Sequence, residues 1–435
     1  MGMIRVLRRP ANTTAERLGY LFINPGGPGS STTGVISDIA GLPELSDEFL
    51  ESFDFIGVDP RGVGMSNPVR CDASIYNEHV SLFPKTQGEY DRMVDKYKRL
   101  GESCLKQTGD LVNHMDTISV AKDHEAVRIA LGGEKLNWLG LSYGTQLGAQ
   151  YAQLFPDNIR IMILDSMLQH SLSEASNVLI ETTAYANELE NFFNWAGANE
   201  RSVLKGRDVK QLWQDLISNA TEKPLPVLDC ATTYCQKDID ADEIRLNVQS
   251  FITDPSWQGR NILATYLIDA SGGSPKGLST KLLSLAQDDR TVVGLSSFYA
   301  SLAVGCQDWS TGVSSFEEFQ AKVRMAEEKV PLTRGASQTW VQQAACIGWP
   351  TPLNNPPKKL DVKTKEPIMI VGATGDPSTS YVWAVGMQEE IQNHYLLTRN
   401  GSGHVSWGMN GETKDAMERF LLTKDLPPPG TVYNS

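Results

Sequence analysis

The chain has no run of about 18 consecutive apolar residues, so nothing in it reads as a membrane-spanning helix. It also has no Lys/Arg cluster. Its 39 basic residues are outnumbered by 52 acidic ones, giving a formal charge of −13. That balance argues against nucleic acid or an anionic membrane as partner. Cys-x-x-Cys pairs are missing, which removes the usual zinc-site signature. There is no internal repeat and no low-complexity tract. The first ten residues, Met1-Gly-Met-Ile-Arg-Val-Leu-Arg-Arg-Pro10, hold no signal-peptide apolar core. What remains is a 435-residue chain, 40% hydrophobic, with ample apolar material for a large core.

The six cysteines are spaced as pairs. Cys71 and Cys104 bracket one excursion, Cys230 and Cys235 a short loop, and Cys306 and Cys346 lie in the second half. Three sequons (Asn12-Thr-Thr, Asn219-Ala-Thr and Asn400-Gly-Ser) fit the same secretory history. The plain alternative is six reduced thiols in a cytosolic enzyme, with sequons present by chance.

Short apolar runs alternate with helical patterns. Ile4–Leu7, Tyr20–Ile23, Phe53–Val58, Leu136–Leu139 and Ile161–Leu164 are expected strands. The pattern stops for nearly two hundred residues and resumes at Pro367–Val371 and His394–Thr398. This predicts an α/β fold with a mostly parallel, doubly covered sheet built from 1–170 and 363–435. Thr117 to Leu131 reads as a helix capped at Asp116 or Thr117 and stopped by Gly132-Gly133. The interruption, 171–362, reads as a mainly helical cap, with helices near Ser176–Trp195, Val209–Asn219 and Ser315–Glu328. It holds six of the nine tryptophans, suited either to its own core or to roofing an apolar cleft.

The most informative motif is Gly140-Leu-Ser-Tyr-Gly144. It follows an expected strand and opens the helix-like run from Thr145 to Phe155, the context of a Gly-x-Ser-x-Gly nucleophile elbow. Ser142 is the expected nucleophile. A serine hydroxyl needs a base, and the base an orienting acid. Of the six histidines, His404 lies on a Gly-rich loop, Asn400-Gly-Ser-Gly-His-Val-Ser-Trp-Gly408, directly after a strand. It is the expected base; the other five read as structural or exposed. Asp376, in Gly372-Ala-Thr-Gly-Asp-Pro-Ser-Thr379, is the expected acid. Asp165, after Ile161–Leu164, is the alternative. The loop Asn24-Pro-Gly-Gly-Pro-Gly29 is expected to give one oxyanion donor, the Gly27 or Gly26 N–H, with the Tyr143 N–H as the other. Asp59-Pro-Arg-Gly62 is expected to form an ion-paired Asp–Arg turn beneath the site.

Together these blocks resemble the tripeptidyl aminopeptidases and related prolyl aminopeptidase-like serine hydrolases of the α/β-hydrolase fold. The resemblance is carried by Asn24–Gly29, by Asp59-Pro-Arg-Gly62 with Gly64 and Ser66, by Gly140–Thr145, and by Asp376-Pro377 with Gly403-His404. Cys306 and Cys346-Ile-Gly-Trp-Pro350 resemble a paired-cysteine feature of the same family. The resemblance implies a serine hydrolase without metal or organic cofactor, releasing residues or short peptides from free N-termini. Such enzymes usually begin with a leader and one more strand, not seen ahead of Ile4–Leu7 in this sequence. They also tend to carry Asp-Gly where Asp165-Ser166 stands, and Thr-Pro where Ser378-Thr379-Ser380 follows Asp376-Pro377. These departures fall at the expected cap entrance. They keep open a second reading, an esterase, lactonase or amidase for an apolar small molecule. An ammonium anchor, required by the peptidase reading, is sought among the cap carboxylates Glu181, Glu188 and Glu190. A silent fold used only for binding is disfavoured by the intact Ser–Asp–His set.

Overall fold

The computed structural model describes residues 3–11, 17–37, 45–228, 236–279 and 297–434. Asn12 and the Cys230–Cys235 pair lie outside the described residues. The strands are β1 (Val6–Arg9), β2 (Gly19–Asn24), β3 (Phe53–Val58), β4 (Leu136–Leu141), β5 (Ile159–Asp165), β6 (Leu225–Pro226), β7 (Asp238–Ile239), β8 (Ile368–Gly375), β9 (His394–Ser402) and β10 (Val432–Asn434). Eight of them form one sheet in the order β1-β3-β2-β4-β5-β8-β9-β10, while β6 and β7 pair separately. Only β1 is antiparallel to its neighbour in the large sheet.

The sheet strands alternate between two cores with period two. Phe22, Trp138, Met162, Leu164, Ile368 and Ile370 face one side. Leu21, Ile23, Leu139, Ile161, Ile163, Met369 and Val371 face the other. Both faces are buried, which is why these strands read as continuous apolar runs and not as alternating ones.

Helices α1 (Thr32–Ser37), α2 (Asp47–Ser52), α3 (Ala73–Tyr76), α4 (Gln87–Thr108), α5 (Thr117–Ala130) and α6 (Tyr143–Leu154) belong to the first half. Asp116 caps α5, accepting from the Ser119 N–H at 2.9 Å. Between β5 and β8 come α7 (Glu174–Ala198), α8 (Val209–Glu222), α9 (Ala241–Phe251), α10 (Trp257–Ser271), α11 (Ser297–Asp308), α12 (Phe316–Lys329) and α13 (Gln338–Cys346). Ser or Asp caps start α7, α8, α9, α10, α12 and α13, each accepting a first-turn N–H. The last two helices are α14 (Tyr381–Gly386) and α15 (Glu412–Thr423).

The inserted helices contribute to two separate cores. Residues from Tyr185 to Leu278 pack around Phe192, Trp213, Ile244 and Leu263. Those of α11 to α13 join the sheet core together with α4 and its neighbours. There Trp340 stacks on Phe83 at 5.0 Å, and Tyr76 meets Tyr299 edge-on at 5.1 Å. Disulfides Cys71–Cys104 and Cys306–Cys346 lie in this shared core. The second fastens α11 to α13. The expected Asp59–Arg61 ion pair is not present. Arg61 pairs with Asp123 on α5 at 2.6 Å, and Asp59 accepts from Ser31, Thr33 and Met65. Asp59 thus stabilises the start of α1, where first-turn donors need an acceptor.

Replacing both Cys306 and Cys346 with Ser is expected to lower the unfolding free energy by about 2–4 kcal/mol, as a loop closure of this length implies. Equilibrium urea denaturation measures it; an unchanged midpoint would remove the disulfide from the account of stability.

Candidate active site

The chain runs from β2 to β3 on one side and returns to place β4 on the other side of β2. The β2 and β4 ends therefore flank a switch point, where a crevice opens at the carboxyl edge of a parallel sheet. Register puts the ends of β2, β4 and β5 level, while β8 and β9 run on beyond them to Gly375 and Ser402. Asn24 pairs with Gly140, Leu141 with Asp165, Asp165 with Val371, and Gly375 with Ser402. Ser142, Ser166, Asp376 and His404 each follow one of these ends within a few residues.

Ser142 sits at φ 55°, ψ −124°, between β4 and α6. A non-glycine residue at positive φ is strained and must be held. The Ser142 N–H donates to the Asp165 carbonyl at 2.9 Å, and the Ser142 carbonyl accepts from the Thr145 N–H at 2.8 Å and the Thr145 hydroxyl at 2.6 Å. The turn also needs close backbone approach. A Cβ on Gly144 would lie 2.4 Å from the Asn24 carbonyl oxygen, and one on Gly26 2.5 Å from that of Leu141. The loop Asn24–Gly29 therefore lies directly against the elbow.

Within that loop the Gly26 N–H donates to the Asn24 side chain at 3.0 Å. The Gly27 and Tyr143 N–H groups have no hydrogen-bond partner among the described residues. Tyr143 opens α6, where the helix dipole adds to its donor strength. Its buried phenol bonds Thr117 at 2.6 Å. Thr117 in turn bonds the buried Asp308 carboxylate.

The His404 Nδ1 lies 2.9 Å from Asp376 Oδ2 and 3.0 Å from Oδ1. Asp376 also accepts from the Ser378 and Thr379 N–H groups, each at 2.8 Å, from the Thr379 hydroxyl at 2.9 Å and from the Ser166 hydroxyl at 2.8 Å. Burial pushes the Asp376 carboxyl up, but the His404 charge and these hydrogen bonds outweigh it, and the net shift is downward. For His404, burial pushes the imidazole down, while Asp376, with help from Asp165 and Glu181, pulls it up further; the net shift is upward.

Asp165 is placed differently. Its Oδ2 accepts from the Trp407 N–H at 2.7 Å, in the loop beyond His404. Burial dominates there and raises its carboxyl. Of the other histidines, His124 is buried beside Trp138, His170 bonds the Asp308 carbonyl at 2.6 Å, His79 pairs with Glu243, His114 with Asp110, and His394 begins β9.

A cavity of about 190 Å³ opens on Ser142. Gly27, Pro28, Ser378 and Thr379 line it together with Ser142; Leu168, Phe298, Trp309 and Trp383 make apolar walls. Glu181 also lines it, whereas Glu188 is bound by Arg260 and Glu190 by Lys210. Glu181 is buried and accepts from the Gln338 and Thr339 N–H groups at the start of α13 and from Gln249. Burial raises its carboxyl, and no Lys or Arg offsets that among the described residues. Ser166 and Thr379 stand out in the sequence only as departures from the family pattern, and Gln249 not at all; each is a common polar residue whose role depends on its tertiary neighbours. No group of metal-ligating side chains occurs among the described residues.

A family model described as TAP-like protein matches residues 331–433, the segment that holds Asp376 and His404. Over 94% of its length the chain is 28% identical to a tripeptidyl aminopeptidase of Streptomyces lividans, covering 76% of that protein. Over 98% of its length it is 27% identical to serine protease Hip1 of Mycobacterium tuberculosis, covering 82% of that protein. It is also 27% identical over 98% of its length to carboxylesterase B of the same species, covering 81%.

If neutral His404 takes the serine proton, kcat/KM should rise with pH through an acid limb lying above the ordinary imidazole value of about 6.5. Below that limb His404 is imidazolium and cannot accept a proton. A limb at or below the ordinary value would contradict the electrostatics described. Sequence similarity, sheet topology and the elbow together identify the chain as a serine hydrolase of the α/β-hydrolase fold, similar over most of its length to tripeptidyl aminopeptidases.

Proposed function

We propose that the enzyme is an exopeptidase that releases single residues or short peptides from free N-termini through an acyl-enzyme on Ser142. The Ser142 Oγ attacks the scissile carbonyl carbon while its proton passes to His404 Nε2. Asp376 holds the imidazole in the tautomer with Nδ1 protonated and stabilises the imidazolium. The oxyanion accepts from the Gly27 and Tyr143 N–H groups, neither of which has a competing partner among the described residues. His404 then protonates the leaving amine, the C–N bond breaks, and the acyl group remains on Ser142. Water, deprotonated by His404, releases the acid product.

The observation that carries the peptidase reading is Glu181. It is a buried carboxylate on the wall of the same cavity as Ser142, with no Lys or Arg paired to it among the described residues. A substrate α-ammonium would supply that partner. In this reading segment 171–362 acts as the helical cap that closes over the substrate, contributing Glu181 and Trp309. The two described disulfides support an oxidising, secretory setting. The esterase reading draws on the apolar walls and on the carboxylesterase B relative.

The two separate on one substrate panel: aminoacyl and short peptidyl anilides, their N-acetylated forms, and p-nitrophenyl esters, with Ser142→Ala as control. N-acetylation should sharply reduce anilide turnover. Glu181→Gln should lower kcat/KM for free-amine anilides by roughly 10- to 100-fold, the worth of a hydrogen bond to a charged group, and leave the esters unchanged. Preferred ester turnover, insensitive to Glu181, would replace the peptidase reading with the esterase one. Asp376→Asn should lower kcat by about 10⁴-fold on both substrate classes, and Asp165→Asn far less; the opposite ranking would reassign the acid.

A further inference from the structure

Ser166 is the residue after β5, fully buried, with φ 63°. Glycine adopts this conformation without penalty, whereas serine is strained in it by about 1–2 kcal/mol. The hydroxyl is fully used. It donates to Asp376 Oδ2 at 2.8 Å and accepts from the Val405 N–H at 2.9 Å. Val405 follows His404 and is itself at φ 66°, a rarer conformation still for a β-branched residue. One hydroxyl therefore joins the carboxylate that bonds His404 to the backbone that carries His404.

The backbone of Ser166 is equally fixed. Its N–H donates to the Val371 carbonyl at 3.0 Å, within β8, the strand that leads to Asp376. The preceding residue works in the same direction: the Asp165 carbonyl holds the Ser142 N–H, and its carboxylate holds the Trp407 N–H. The Asp165-Ser166 pair thus touches the backbone or side chain of all three strand ends around it.

We infer that Ser166 is a positioning residue that sets the separation of Asp376 and His404, gripping the acid with its hydroxyl hydrogen and the base's loop with its hydroxyl oxygen. This rests on the triad proposed above. Ser166 touches no substrate atom; it acts through the pair it spans. A displacement of the imidazole by a fraction of an ångström weakens proton transfer without altering how substrate is held.

The test uses Ser166→Ala and Ser166→Gly in the full chain, each also combined with Asp376→Ala. Ser166→Gly suits the backbone conformation and serves if Ser166→Ala fails to fold. In the otherwise native protein, kcat should fall on the order of 10- to 100-fold with KM little changed and the melting temperature of Ser166→Gly preserved. In the Asp376→Ala background the same substitution should produce no further loss, because the pair it positions is already broken. A Ser166→Gly enzyme with native kcat, alongside an inactive Asp376→Ala, would overturn the inference and leave the triad standing. Equal losses in both backgrounds would also overturn it, showing a general structural role. Undiminished turnover by Asp376→Ala would remove the triad reading itself, and this inference with it.

Discussion

Everything at the carboxyl edge of the sheet depends on one constrained residue. Ser142 is held at positive φ by a hydrogen bond from its N–H to the Asp165 carbonyl and by Thr145 on its own carbonyl. That conformation lifts the side chain off the end of β4 and starts α6 immediately behind it. It is tolerated because the neighbouring backbone can approach closely, with Asn24 against Gly144 and Gly26 against Leu141. Parallel strands then send the loops after β2, β4, β5, β8 and β9 out at the same edge of the sheet, so that residues distant in sequence meet around one cavity.

Electrostatics divide the labour among three buried carboxyls. Asp376 collects enough donors to remain an anion despite burial, and it raises its partner His404. Asp165 is dominated by burial and holds the loop beyond His404 through the Trp407 N–H. Glu181 is raised by burial but faces the cavity. Environments that push neighbouring carboxyls apart are how one fold separates an orienting acid from structural and binding roles. The inserted helices also reach His404, whose N–H donates to the Thr253 carbonyl just after α9. The loop that carries His404 therefore leans on the inserted helices.

Much of this was legible in the chain. The strands announce themselves as short apolar runs because both faces are buried. The elbow and the Asn24–Gly29 loop are written in glycine and proline because they require close backbone approach. Asp376 and His404 fall where strand ends must place them. Less was legible where long-range packing decides. The β1 strand begins at Val6, two residues later than the apolar run suggests, because its register is set by antiparallel pairing with β3. The 22-residue α4 is hard to see in the sequence, because its charged surface obscures a buried stripe of Tyr90, Met93, Tyr97 and Leu100. Nor does sequence distinguish Glu181 from Glu188 and Glu190, because only the fold gives the last two their cations. Ser166 is least visible of all, since its role consists of two hydrogen bonds to residues more than two hundred positions away.

The central claim is that Ser142 carries the acyl group. The direct measurement is intact mass after treatment with a fluorophosphonate, followed by peptide mapping of the adduct. The account predicts a single adduct, located on the peptide containing Ser142 and absent from Ser142→Ala. Persistent labelling in Ser142→Ala, or an adduct on another residue, would contradict it.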